Sequence, residues 1–217
     1  MNFEETRRNM VNSQLLPNKV TDPSVLEAFS NLPRELFVPS NKKNIAYIDS
    51  FISVSPGRFL MEPMITARML QALELKPSDV VLSIGCGTGY SVAILSKIVE
   101  TVFAVEEDAD LISDATKIFL ENEIDNVVMI EGSLKEGCED HAPYDAIFFD
   151  GGIDQISENI ENQLGDKGRA SALVMNSHML GSIKVYKKYH DFVSCLDLCE
   201  AMTPFLPGFE AKSEFTF

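Results

Sequence analysis

Residues 81–90 read VLSIGCGTGY and set three alternating glycines, Gly85, Gly87 and Gly89, directly behind an apolar run. Glycines at this spacing permit positive φ and let a ligand lie against bare backbone. A helix opening behind them turns free N–H groups toward the same ligand. Twenty-one residues past Gly85, Glu106 closes a second apolar run. A carboxylate there can accept both hydroxyls of a ribose. Together the two features predict a nucleoside cofactor. A dinucleotide loop would read GxGxxG, but here the third glycine falls one residue early and Tyr90 takes the sixth place. That tells against a nicotinamide dinucleotide.

Such a site needs strands to carry it. VVLSIG (80–85), TVFAVE (101–106), VVMIEG (127–132) and DAIFFDG (145–151) are short runs that are apolar throughout. Helical patterns lie between them: TGYSVAILSKI, DADLISDATKIFLEN and QISENIENQLG. Strands buried on both faces and separated by helices predict a mostly parallel sheet with helices on both faces, a Rossmann-like α/β fold. RASALVMN and KVYKKYHD are candidate further strands, and EFTF a candidate edge strand. FLPGFEAKSEFTF, with four phenylalanines, is expected to pack as a final strand or to cap a pocket. Ahead of the sheet, residues 3–15, TDPSVLEAF and residues 62–74 read as helices. Asp22 can cap the second, and Pro23 suits its first turn.

The 217 residues fit one domain, with residues 1–75 as the N-terminal helical segment and 76–217 as the sheet. No apolar run reaches the roughly 18 residues that span a bilayer. The start, MNFEETRRNM, lacks the apolar region of a signal peptide. Cys86, Cys138, Cys195 and Cys199 form no CxxC pair, so neither a zinc site nor a disulfide framework is expected. A cytoplasmic protein with reduced thiols follows, without a membrane partner. The formal net charge of -15 repels phosphate backbones and excludes nucleic acid as a default partner. The same field attracts cations.

The chain resembles the protein-L-isoaspartate O-methyltransferase family. The resemblance rests on RRNMVNSQL, VTDPSVLEAF, LPRELFVP, AYIDS, the run from Glu62 to Leu95, EGSLKEG, HAPYDAIFF and ENQLGDKGR, and covers roughly residues 7–170. It implies S-adenosyl-L-methionine as cofactor and S-adenosyl-L-homocysteine as its product. It also implies methyl transfer to an isoaspartyl carboxylate of a protein or peptide, by a monomer or homodimer. On this chain it places the cofactor on Gly85, Cys86, Gly87, Thr88, Gly89 and Tyr90. Glu106 and Glu107 follow the next strand, Gly132, Ser133 and Leu134 the third, and Asp150 the fourth.

Departures from the family pattern fall on these same positions. The glycine-loop acid is Ser83, which keeps a hydrogen bond but loses the charge. Ser133 stands for the family's Asp at the adenine, and Asp150 enters a loop of small residues. The substrate loop, roughly G-Q-T-I-S-Q-P in the family, reads GRFLMEP at 57–63. Arg58 replaces Gln, Phe59 replaces Thr, and Met61 replaces the Ser held to matter for activity. Each donor lost from a bound carboxylate costs about 1.5–3 kcal/mol. Arg58 and Met61 are therefore the candidate catalytic positions. Arg58 either forks onto an anionic substrate group or pairs with a near acid such as Glu62. Cys86 is expected as a small loop filler, and His141, His178 and His190 as loop or surface residues. Two alternatives stand beside isoaspartyl repair: a methyltransferase with another acceptor, and a cofactor-binding protein without catalysis.

Overall fold

The computed structural model describes residues 2–176, 178, 180–190 and 192–210. The expected strand EFTF lies outside them.

Helix α1 (Phe3–Met10) starts where the Asn2 side chain accepts from the backbone N–H of Glu5. It runs into a π-turn over Val11–Leu15, so the helix expected across 3–15 changes its winding halfway. The change keeps Met10, Val11 and Leu15 all buried. Helix α2 (Pro23–Asn31) is capped as the sequence predicts, Asp22 accepting from the N–H groups of Ser24 and Val25. Residues 57–60, expected as loop, belong instead to an antiparallel hairpin. Strand β1 (Ile52–Ser55) pairs with β2 (Arg58–Leu60) across a turn that needs Gly57 at φ 73°. Helix α3 (Pro63–Ala72) leads from the hairpin to the sheet.

The sheet portion runs β3 (Val80–Ile84), α4 (Tyr90–Ser96), β4 (Thr101–Glu106), α5 (Ala109–Glu121) and β5 (Val127–Glu131). It continues through β6 (Tyr144–Ile153), α6 (Glu158–Asn162), β7 (Leu164–Met175), β8 (Gly181–Tyr189) and β9 (Phe192–Ala201). The strand order is β5-β4-β3-β6-β7-β8-β9. The first five are parallel; β8 and β9 are antiparallel. The chain winds outward from β3 to β5 and then crosses to β6. The switch point therefore lies between β3 and β6, where open α/β sheets form their ligand crevice. One apolar cluster joins the N-terminal segment to one face of the sheet, and a second fills the other face. The pairing of β6 with β7 shifts register between Phe148 and Gly152. Such a bulge re-aims side chains, and Asp150 sits within it.

Arg169 on β7 fastens the helical segment to the sheet. Its Nε donates to the carbonyl of Leu73 (2.6 Å), and its Nη2 to the Glu74 carbonyl (2.9 Å) and to Oδ2 of Asp79 (2.7 Å). Asp79 is 4% exposed. Removing one partner of a buried pair strands the other's charge, at about 3–5 kcal/mol. Arg169→Ala is expected to lose about that much stability, read from urea unfolding curves; a loss within about 0.5 kcal/mol, typical of surface changes, would reject the role.

Candidate functional site

The glycine loop forms as the sequence predicts. Gly85, Gly87 and Gly89 sit at φ 78°, 54° and 90°. Gly85 donates to the Val105 carbonyl at 2.9 Å, tying the loop to β4. Yet every residue from Val81 to Tyr90 is buried. Thr88 and Tyr90, expected at the cofactor, face the N-terminal segment instead. The Thr88 hydroxyl donates to the Phe37 carbonyl at 2.7 Å. The Tyr90 ring meets Phe29 and Phe37 edge-on, with the Arg34 guanidinium 4.8 Å from its centroid.

Glu106 ends β4 with no exposure to solvent. Its carboxylate accepts from the backbone N–H groups of Gly87 (2.8 Å), Glu107 (2.9 Å) and Asp108 (3.2 Å). It also takes both terminal nitrogens of Arg58 in a bidentate ion pair. Nη2 of Arg58 donates further to the Gly85 carbonyl at 2.9 Å. Arg58 is 5% exposed. It thus pairs neither with Glu62 nor with open space where a substrate anion could reach it. The hairpin turn at Gly57 swings it from β2 onto the loop, across 48 residues of sequence.

Asp150 lies beside this pair. The Ser91 hydroxyl, on α4, donates to it. Burial pushes the Asp150 carboxyl up to about 7, against the downward pull of Ser91, Arg58 and Arg34. Burial likewise pushes the Cys86 thiol well above its usual value, with the charges of Glu106 and Asp150 adding to the rise. Cys86 is a buried loop filler, as expected. Arg34, fully buried, donates to the carbonyls of Ala46 (2.7 Å) and Met61 (2.6 Å) and so holds the hairpin's exit. Met61 itself is 1% exposed.

The C-terminal stretch then crosses the glycines. Leu206 donates to the Gly152 carbonyl at 2.8 Å, and Gly152 to the Pro204 carbonyl at 3.0 Å. A Cβ built on Gly85 would lie 2.5 Å from Cδ2 of Leu206, and one on Gly151 would lie 2.7 Å from it. The close approach that glycine allows is taken by the chain's own leucine. Phe209 packs edge-on to Phe149 at 5.9 Å, in one cluster with Leu134 and Leu206. Ser83 Oγ is buried without a partner among the described residues. Glu107 and Ser133 are exposed, and Gly132 is half-buried.

S-adenosylmethionine therefore does not fit the cleft as it is arranged. The carboxylate expected to receive the ribose is engaged by Arg58, and Leu206 lies on Gly85 and Gly151. Sequence reasoning missed Arg34, Ser91 and Leu206, and the partner of Arg58. With 18 cationic and 33 acidic side chains, no spacing singles out which carboxylate a given arginine meets. FLPGF did carry a signal, since apolar residues around Pro207 and Gly208 predict a cap over a pocket.

Comparison with known proteins places this geometry. The model of the protein-L-isoaspartate(D-aspartate) O-methyltransferase family matches residues 5–207. A Pelobacter propionicus protein named protein-L-isoaspartate O-methyltransferase 2 is 37% identical over 199 residues, 91% of this chain and 88% of its own. A protein-L-isoaspartate O-methyltransferase of Desulfotalea psychrophila is 35% identical over 192 residues, 88% of this chain and 90% of its own. A solved protein-L-isoaspartate O-methyltransferase superposes with TM-score 0.83 at 23% identity, over 94% of this chain and 67% of that one. A Plasmodium falciparum protein solved with S-adenosyl-L-homocysteine gives TM-score 0.76 at 18% identity, over 95% of this chain and 98% of that one. The two structures establish the fold, and the sequence matches establish the kinship: this chain belongs to the protein-L-isoaspartate(D-aspartate) O-methyltransferase family.

Proposed function

We propose that this chain is an S-adenosylmethionine-dependent carboxyl O-methyltransferase acting on isoaspartyl sites of damaged proteins or peptides, and that the arrangement described is its closed form. The family match over residues 5–207 carries this reading. The sheet supports it, since the switch point holds Gly85, Gly87, Gly89 and Glu106 together. A cytoplasmic setting and a monomer or homodimer complete the proposal. Among the described residues no helix is long and apolar enough to cross a membrane, and no group of three His, Cys, Asp or Glu could hold a metal ion.

A carboxylate acceptor has an ordinary pKa near 4 and is ionised at neutral pH, so it needs no general base. The chain's own task is to orient that acceptor and exclude water. In the closed form the hairpin offers it little. Arg58 is engaged, Phe59 and Leu60 carry no donor, and Met61 is buried. This observation favours a second reading, a family member that keeps the fold without the isoaspartyl activity. Methylation of an isoaspartyl peptide, with its normal aspartyl twin as control, separates the two. The proposed function expects methyl incorporation into the isoaspartyl peptide alone. Incorporation into neither, by protein that demonstrably binds S-adenosylhomocysteine, would exclude it.

Asp150 should make the closed form sensitive to pH. Its folded value of about 7 lies above the ordinary 3.8. Between those values the folded chain holds a proton that the unfolded chain has released. The resulting stabilisation is full below pH 3.8 and is lost as pH rises to about 7. Asp150→Asn removes this proton exchange. The variant is expected to show a shallower fall in urea-unfolding stability between about pH 4 and about pH 7 than the parent protein. Identical slopes would show that the Asp150 carboxyl binds its proton no more tightly in the folded chain than in the unfolded one.

A further inference from the structure

We infer that the cofactor cleft of this chain is filled from within: Arg58 takes the ribose position on Glu106, and the segment from Thr203 to Phe209 lies over the glycine loop through Leu206, so that an S-adenosyl ligand enters only by displacing both. The inference rests on the family reading above, which places the ligand on Glu106 and the glycines.

Two independent sets of contacts carry it. The first is electrostatic. A ribose hydroxyl is a neutral donor, whereas the guanidinium of Arg58 is charged and bidentate, and charge-assisted bonds of this kind are the stronger. Glu106 has no exposure to solvent and already receives three backbone N–H groups. Its remaining acceptor capacity goes to Arg58. A ribose could bind only where Arg58 has left. A sulfonium ligand would also bring a second cation beside the guanidinium.

The second set is steric and lies at the other end of the chain. Phe205 bridges Gly152 in parallel register. The N–H of Leu206 donates to Gly152 and the N–H of Asp154 to Phe209, at 2.8 and 3.0 Å. These bonds fasten the segment along the C-terminal end of β6. Leu206 then occupies the space against Gly85 and Gly151 that their missing side chains leave. Phe209 anchors the far end on Phe149, with Lys135 Nζ 6.0 Å from its ring centroid. Thr203, Leu206 and Phe209 are each buried to within 3% of complete. Every third residue pointing inward is the pattern of a strap with one face in the core.

A ligand that binds only the open form has its apparent affinity reduced by the open fraction. Weakening either closure should therefore tighten binding. Calorimetric titration with S-adenosylhomocysteine is expected to give Arg58→Gln and Leu206→Ala dissociation constants at least about tenfold below that of the parent chain. Equal or weaker binding by both folded variants overturns the inference. No binding at millimolar ligand by the parent or by any folded variant overturns the family reading of the cofactor as well. Hydrogen exchange on the unaltered chain gives a readout that needs no variant. Bound S-adenosylhomocysteine is expected to speed exchange at the amides of Leu206 and Gly152, whose bonds hold the strap. Unchanged or slowed exchange at saturating ligand overturns the inference and leaves the cofactor assignment standing.

Discussion

Glu106 is a carboxylate with no exposure to solvent at the carboxyl end of β4, and the neighbouring structure is arranged around its compensation. Isolating such a charge costs several kcal/mol even after relaxation, unless a partner and hydrogen bonds meet it. Three backbone N–H groups and one bidentate arginine do so here. The consequences spread outward. Gly87 must turn with positive φ to present its N–H, and the β1–β2 hairpin must turn at Gly57 to deliver Arg58. Arg34 must in turn hold the hairpin's exit through the Met61 carbonyl. The N-terminal segment and the sheet are thus joined through one buried charge.

Beside this pair lies a second acid, Asp150, held in the β6 bulge and bonded by Ser91. Two arginines and two acids share one buried region, and burial pushes Asp150 toward neutrality. Leu206 closes the region from above. In the crevice that open α/β sheets offer to ligands, Arg58 pairs here with Glu106 and Ser91 with Asp150.

The family kinship and this self-satisfied cleft are compatible. Kinship is written in strands, turns and the glycine loop, which keep the sheet and its switch point. The departures from the pattern that the resemblance implies fall on the buried Ser83, Arg58 and Met61, on Asp150 in the β6 bulge, and on the exposed Ser133. Ser83, whose hydroxyl is buried without a partner among the described residues, stands where the resemblance implies an acid.

The sequence by itself determined the parallel part of the sheet, while β9 (Phe192–Ala201) was not read from it. Apolar runs at 80–85, 101–106, 127–132 and 145–151 became β3, β4, β5 and β6; β3, β4 and β6 lie largely buried inside the sheet, and β5 forms its edge. Asp22 and Pro23 marked the start of α2, since capping is local chemistry. The glycines fixed a loop of positive φ for the same reason. The helix expected over 3–15 changed winding at Val11, and RFL became a strand. Those outcomes depend on what each segment packs against. Tertiary structure alone decided that Arg58 meets Glu106 across 48 residues and that Leu206 lies on Gly85. Tyr90 turned to Phe29 and Arg34 rather than to a ligand for the same cause. Local pattern fixes which backbone conformation a residue prefers. Which charge finds which partner is settled only when distant segments are buried together and each polar group must be matched.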